Sequence, residues 1–204
     1  MVKSTGSNWF EFFLSALVLG LAFSALALGI FISMRIFDIP DITTDGSYTL
    51  GGAVTAVALS QYLPIPLALL AALAAGALAG ICTGVIHTKL KVNALLSGIL
   101  VMTSLYSCNL VIMGKSNLPL MNVPNLFQIP LVHYIGLFWT ELWVLAIFTG
   151  LVWLGMGYVL RTDFGLAMRA TGNSPTMIAA NGVNTDGMRI TGLAISNALV
   201  ALSG

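Results

Sequence analysis

The sequence predicts an all-α integral membrane protein, a polytopic bundle of helices that cross a bilayer. The first observation is composition, since 58% of the 204 residues are hydrophobic and only 7% are charged. A soluble domain carries about 25% charged residues, so this chain has too few charges to cover a surface exposed to water. The second is that uncharged runs of about 20 residues, enough to span a roughly 30 Å hydrocarbon core, recur along the chain. The net charge of +1 gives no reason to expect a nucleic-acid partner.

The first predicted span is 12–34, an uncharged run that ends at Arg35. The residues that follow it include three aspartates, Asp38, Asp41 and Asp45. Aspartates are costly in lipid, so we expect these three side chains at a membrane interface or facing a protein-lined cavity.

The next uncharged stretch is divided by Pro64 and Pro66 into two helices, 46–63 and 66–87. The glycines that open 46–63 indicate either a broken helix or an ordinary short helix. A membrane tolerates a broken helix only where protein or a water-filled cavity satisfies the freed backbone groups. Both interpretations remain open, as does the choice between crossing and re-entering the membrane. That choice decides on which side the N-terminus lies.

A row of glycines marks one face of the predicted span 66–87. Gly76, Gly80 and Gly84 recur at every fourth residue. This spacing lets a second helix backbone approach closely, so we expect helix packing at this face.

Two further spans are predicted at 94–113 and 142–160, joined by a connecting loop at 116–137 on the far side of the membrane. Thr103 and Asn109 lie inside 94–113. Such side chains bond most simply to a helix backbone or a neighbouring helix, and lining a polar path is the lesser alternative. The histidine of the loop has no second ligand at a useful spacing, so no metal site is expected.

The insert 161–189 is the most polar part of the chain and holds three of its four arginines. It follows 142–160 on the same side as Lys89 and Lys91, and a basic side is typical of the cytoplasm. It contains neither a nucleophile–base pair nor a cluster of metal ligands. The pattern therefore predicts a cytoplasmic docking loop rather than a catalytic site.

Within the insert we expect a helix over 164–170, a break at 171–173 and a short helix of one or two turns over 176–181. Ser174 is the expected N-cap of the short helix, and Pro175 suits its first position.

A turn is predicted at 184–187, after which 190–204 is again apolar. A membrane span needs about 20 residues, so 190–204 is predicted to be an incomplete last span. We therefore expect the chain to be truncated at its C-terminus.

Three motifs of the sequence resemble a known family of membrane proteins. They are RIFDIPDITTDGS at 35–47, the segment 80–100 with HTKLK at its centre, and ATGNSPTMIAANGVNTDGM at 170–188. The chain resembles permease subunits of ABC importers in the branched-chain amino acid and ribose permease superfamily, and within it the permeases of tryptophan/tyrosine type. The resemblance extends over nearly the whole chain.

This resemblance implies a permease subunit without catalytic activity that forms the translocation path for a small solute, such as an amino acid. ATP would be hydrolysed by a cytoplasmic ABC ATPase subunit, and this chain would bind no cofactor. The other implied partners are an extracytoplasmic solute-binding protein and a second permease copy, in the plasma membrane of a bacterium. A non-transporting scaffold and an intramembrane enzyme are the alternatives. An enzyme would need ionisable residues in the membrane, and the long spans carry no charged ones.

The same resemblance places two sets of candidate residues, neither of them catalytic. Coupling to the ATPase is expected from the middle of the insert: Ala170, Thr171, Gly172, Asn173, Ser174, Pro175, Met177, Ile178, Ala179 and Gly182. The substrate path is expected near the start of 46–63 and within 94–113: Asp45, Gly46, Ser47, Thr103 and Asn109.

Overall fold

The computed structural model describes the backbone of residues 5–115 and 137–204, and within these residues all regular structure is helical. The all-α prediction is therefore confirmed. The loop predicted at 116–137, with its histidine, lies outside the described residues except for its last position.

The helices follow one another with short connections. In chain order they are α1 (Thr5–Ala22), α2 (Ser24–Ile30), a π-helical segment (Phe31–Ile36), α3 (Thr43–Ser60), α4 (Ile65–Thr88), α5 (Ala94–Met113), α6 (Leu137–Arg161), α7 (Asp163–Asn173), α8 (Pro175–Ala180) and α9 (Thr185–Ser203).

Four helical stretches of the described chain are long and apolar enough to cross a membrane. They are Phe12–Ile36, Ile65–Thr88, Ala94–Met113 and Trp139–Arg161. Each overlaps one of the long uncharged runs of the sequence. Apolar length alone therefore located these helices.

The first of these stretches is irregular. Phe23 separates α1 from α2, although Phe23 N–H still donates to Leu19 O (3.1 Å). The stretch then widens into the π-helical segment, where Phe37 N–H donates to Ile32 O, five residues earlier (3.3 Å). Single π-helical turns of this kind occur mostly inside longer helices and often at functional sites.

The broken-helix interpretation of 46–63 is wrong, because α3 is continuous from Thr43 to Ser60. Its glycines serve close packing instead of unwinding. A Cβ built at Gly51 would overlap the backbone of Ala201, and one built at Gly46 would lie 3.1 Å from the Cα of Met102. The ordinary short helix is thus the correct alternative.

One end of the bundle, which we call the insert end, carries α7 and α8. Ala94, at the start of α5, packs there against a cluster that includes Ile36 and Leu160. The start of α3 lies at the same end, since a Cβ built at Gly98 would be 3.1 Å from the N atom of Ile42. From there α3 runs about 27 Å, at 1.5 Å per residue, toward the other end.

This arrangement shows which elements lie at each end of the bundle. Residues 35–42 lie at the insert end, and α3 leads away from it to the turn before α4. The helices α1 and α2 therefore begin at the end opposite α7 and α8, and α3 passes between the two ends without turning back.

Helix α9 lies at the centre of the bundle and packs against α2, α3 and α4. The glycine row of α4 faces it. A Cβ at Gly76 or Gly80 would overlap the α9 backbone, and one at Gly84 would lie 2.9 Å from the Cα of Ile190. Close backbone approach of two helices at a row of small residues is the packing that membrane helices use most readily.

Helix α9 also begins earlier than the apolar stretch 190–204 indicated. Asn184 is its N-cap, with its side-chain oxygen accepting a hydrogen bond from Gly187 N–H (3.0 Å). The expected turn at 184–187 is therefore the cap and first turn of a 19-residue helix. The ring of Phe37 fills the space beside Gly192 in this helix.

Candidate functional site

The insert begins with α7, which is capped by the side chain of Thr162. Its hydroxyl accepts from Gly165 N–H (3.4 Å), and Asp163 lies in the first turn, where the helix dipole favours a negative charge. A Cβ at Gly165 would overlap the end of α6 near Leu160. The glycine therefore allows α7 to fold back closely on α6.

The break predicted at 171–173 is not present, because α7 continues to Asn173 and ends only at Ser174. Thr171 is fully buried and its hydroxyl donates to Ala167 O (2.7 Å). A Cβ at Gly172 would overlap the carbonyl oxygen of Ile36. Gly172 is thus a contact residue rather than a helix breaker.

The short helix of the insert is α8, Pro175–Ala180, with Pro175 at its start as predicted. The side chain of Ser174 makes no capping bond; its backbone carbonyl accepts from Ile178 N–H instead (3.2 Å). Gly182 follows the helix with φ +83°, a conformation that glycine adopts without strain.

The expected coupling residues divide into two groups by exposure. Thr171 is buried, while Ala170, Gly172, Ser174, Pro175 and Ile178 are half-buried. Asn173, Met177, Ala179 and Gly182 are exposed, and Met177 is 68% exposed. Gly172, in the less exposed group, contacts the first span at Ile36, and Met177, in the exposed group, is accessible to a partner.

The attachment is made of apolar side chains from three parts of the chain. Met168 of α7 is fully buried in a cluster with Ile36, Phe37, Met156 and Leu193. These residues come from the π-helical segment and the turn after it, from α6 and from α9. A fully buried side chain of this size stabilises by about 1.5–3 kcal/mol relative to exposure. The insert is therefore held to the first span and to α9 together.

A buried polar cluster lies behind this attachment. The amide of Asn197 donates to Asp41 Oδ2 (2.7 Å) and to Leu193 O (3.0 Å), and its oxygen accepts from Ser47 Oγ (2.6 Å). Thr43 N–H donates to the other oxygen of Asp41 (2.9 Å). The cluster ties the loop before α3 to α9, and a buried carboxylate is retained because its oxygens are hydrogen-bonded.

Sequence reasoning did not single out Asn197. The available signal was a lone asparagine in the middle of the apolar segment 190–204. Two of its three side-chain hydrogen bonds are to Asp41 and Ser47, which lie about 150 positions away in the chain.

The expected path residues are not brought together at one surface. Ser47 is fully buried in the Asn197 cluster, and Gly46 packs on α5. Asp45 and Thr103 are exposed, and the Thr103 hydroxyl donates to the carbonyl oxygens of Ile99 and Leu100 in its own helix.

Asn109 is buried and donates to Thr49 Oγ1 (3.0 Å), which joins α5 to α3. Its own side-chain oxygen has no hydrogen-bond partner among the described residues. A path along these residues remains a prediction.

The described residues form an all-α bundle with four helices long and apolar enough to cross a membrane. The chain belongs to the family described as the permease component of the branched-chain amino acid transport system. The family match covers residues 12–204. It confirms the resemblance drawn from the three motifs.

The relatives extend this assignment. The chain is 40% identical to a tyrosine transport system permease protein of Clostridioides difficile (strain R20291) over 94% of its length and 62% of that protein. It is 33% identical to an uncharacterized protein of Rickettsia prowazekii (strain Madrid E), over 94% of this chain and 65% of that protein.

A ribose import permease protein of Haemophilus influenzae (strain ATCC 51907 / DSM 11121 / KW20 / Rd) is 27% identical over 80% of this chain and 50% of that protein. The chain thus spans one half to two thirds of the curated relatives it matches. No solved structure matches the chain significantly.

Proposed function

We propose that this chain is the membrane-spanning permease subunit of an ATP-driven importer. It forms part of the translocation path for a small solute, such as an amino acid, and couples to a cytoplasmic ABC ATPase through 161–189. The relative named as a tyrosine transport permease supports an amino-acid substrate class. The bacterial relatives support the plasma membrane as its location.

The observation that carries the proposal is the geometry of the insert. Helix α8 exposes Met177 and Ala179, whereas Met168 and Gly172 attach α7 to the π-helical segment and α9. A partner that binds α8 from the aqueous side would move these spans with it. Such a rigid connection suits alternating access, in which groups of helices rock against one another.

The remaining partners follow from the same proposal. ATP is bound and hydrolysed by the partner ATPase, and this chain holds no cofactor. A solute-binding protein delivers the solute from the outside, and a second permease copy completes the membrane domain.

The test is a charge substitution on α8 in the full-length protein reconstituted with its ATPase and binding protein. We expect Met177→Asp to lower solute-stimulated ATP hydrolysis about tenfold or more, because a central interface residue contributes about 2 kcal/mol. The matched control is Leu90→Asp. Leu90 is also 68% exposed and follows α4 at the insert end, but it lies outside α8.

The outcomes separate the candidate functions. Equal loss in both variants would show a general effect of charge at this end, and unchanged hydrolysis in Met177→Asp would contradict the coupling role. A full-length protein that never co-purifies with an ATPase would favour the scaffold or the intramembrane enzyme.

A further inference from the structure

A cavity of about 550 Å³ lies at the insert end, between the π-helical segment and α7. Its walls come from the end of the first span and the last turn of α7: Phe31, Met34, Arg35, Ile36, Asp38, Arg169, Gly172 and Asn173. Its volume falls within the range of about 300–1,000 Å³ that is typical of small-molecule sites.

Two arginines on separate elements face this cavity. Arg35 belongs to the π-helical segment and Arg169 to α7, and the contact of Gly172 with Ile36 holds the two elements together. Within the described part of the chain, neither guanidinium has a hydrogen-bond or ion-pair partner. With Asp38 on the same wall, the cavity has a formal charge of +1.

An arginine pair of this kind suits a phosphate group. The guanidinium is planar and always charged, and it matches phosphate oxygens with two parallel hydrogen bonds. Asn173 adds an amide that can donate to the same oxygens.

The other wall of the cavity is apolar and belongs to a membrane span. Phe31 and Met34 lie in the candidate span Phe12–Ile36 and are 48% and 53% exposed. Arg35 follows them at the end of that span. A ligand that contacts all three residues therefore has a charged part at the membrane interface and an apolar part toward the hydrocarbon.

We propose that this cavity binds the headgroup of an anionic phospholipid. Its phosphate lies between Arg35 and Arg169, and its acyl chains lie against Phe31 and Met34. Basic pockets beside membrane helices on the cytoplasmic side are the sites that anionic headgroups occupy. A free phosphate ion shares the charge but would leave the apolar wall without a contact. The bound lipid would bridge the first span and the insert, independently of which solute the protein carries.

The experiment measures lipid binding to the delipidated full-length protein by native mass spectrometry. It compares phosphatidylglycerol with phosphatidylcholine at equal concentrations. We expect phosphatidylglycerol to bind several-fold more tightly. Arg35→Gln and Arg169→Gln should each weaken its binding about fivefold, since an arginine near an anionic headgroup contributes about a factor of five. Asp38→Asn should strengthen binding, because it removes a like charge.

The matched control is Arg161→Gln. Arg161 is exposed at the same end but does not line the cavity, so its loss should change phosphatidylglycerol affinity less than twofold. Arg35→Lys retains the charge and serves where Arg35→Gln fails to fold. It should bind more tightly than Arg169→Gln.

Three results would overturn the proposal. Equal binding of phosphatidylcholine would show an apolar slot without anion preference. Equal weakening by Arg161→Gln would show diffuse surface charge. Displacement of phosphatidylglycerol by millimolar inorganic phosphate would identify a soluble phosphate as the ligand.

Discussion

At the scale of single residues, the fully buried Asn197 joins the polar side chains of Asp41 and Ser47 to α9. Its amide group bonds to Asp41, to Ser47 and to the α9 backbone, and none of these groups is exposed. A buried carboxylate that loses a donor keeps its desolvation cost without compensation.

We expect Asn197→Ala to destabilise the full-length protein by about 3 kcal/mol, because it leaves Asp41 Oδ2 and the Ser47 hydroxyl without their hydrogen-bond partner. In a protein of this size such a loss lowers Tm by on the order of 5–10 °C. The measurement is thermal unfolding in detergent. Asn181→Ala is the control, since Asn181 is exposed on the insert.

A double-mutant cycle sharpens this prediction. Asp41→Ala combined with Asn197→Ala should cost less than the sum of the two single changes, because the carboxylate that needs the amide is gone. Strictly additive costs would contradict a direct interaction between the two side chains.

Contacts between residues this far apart in the chain could not be predicted from the sequence alone. The bounds of α5 were predictable because its signals are local: Asn93 caps the start, with its side chain accepting from Leu95 N–H (3.0 Å), and Gly114 follows the end with φ +63°. Ser47 was predicted to be a path residue because it lies near the start of 46–63. Its burial depends on Asn197, which the chain brings to it only in the folded state.

At the scale of helices, the contact between α7 and the π-helical segment leaves no room for a side chain at Gly172. Gly172 was interpreted from the sequence as a helix breaker, since glycine is a poor helix former. The folded chain uses it differently, as the position where two backbones touch. Propensity could not reveal this, because the partner backbone at Ile36 is distant in sequence.

We expect Gly172→Ala to separate α7 from the first span and to lower coupled transport at least several-fold, because a Cβ there overlaps the Ile36 carbonyl oxygen. The measurement is solute uptake into proteoliposomes together with limited proteolysis at the insert. The same change at Gly157 is the control, because a Cβ there meets nothing within 4 Å. Normal uptake with an intact insert in Gly172→Ala would contradict the proposed connection.

At this scale, the sequence predicted that the glycine row of α4 packs against another helix, but it did not identify that helix. Spacing alone indicated a helix contact at Gly76, Gly80 and Gly84. The sequence could not name α9 as the helix that fills it, since α9 was interpreted as an incomplete segment.

At the scale of the whole molecule, the positions of the helix ends predict how the protein is oriented in the membrane. The insert and residues 35–42 lie at one end, while the turn after α3 lies at the other. With the insert in the cytoplasm, this turn and the start of α1 are outside.

Cysteine labelling tests that orientation. In a full-length protein whose native cysteines, Cys82 and Cys108 among them, are replaced by alanine, Gln61→Cys should react with a membrane-impermeant maleimide in intact cells. Ala180→Cys should react only after the cells are permeabilised. Both positions are exposed. The reverse pattern would contradict the cytoplasmic insert.

The contact between Phe37 and Gly192 has a consequence for sequence divergence within the family. The aromatic ring occupies the volume that any side chain at position 192 would need. A side chain at position 192 is therefore tolerated only with a smaller residue at position 37. Homologous chains should vary at these two sites jointly, with a smaller residue replacing the aromatic wherever the glycine is lost.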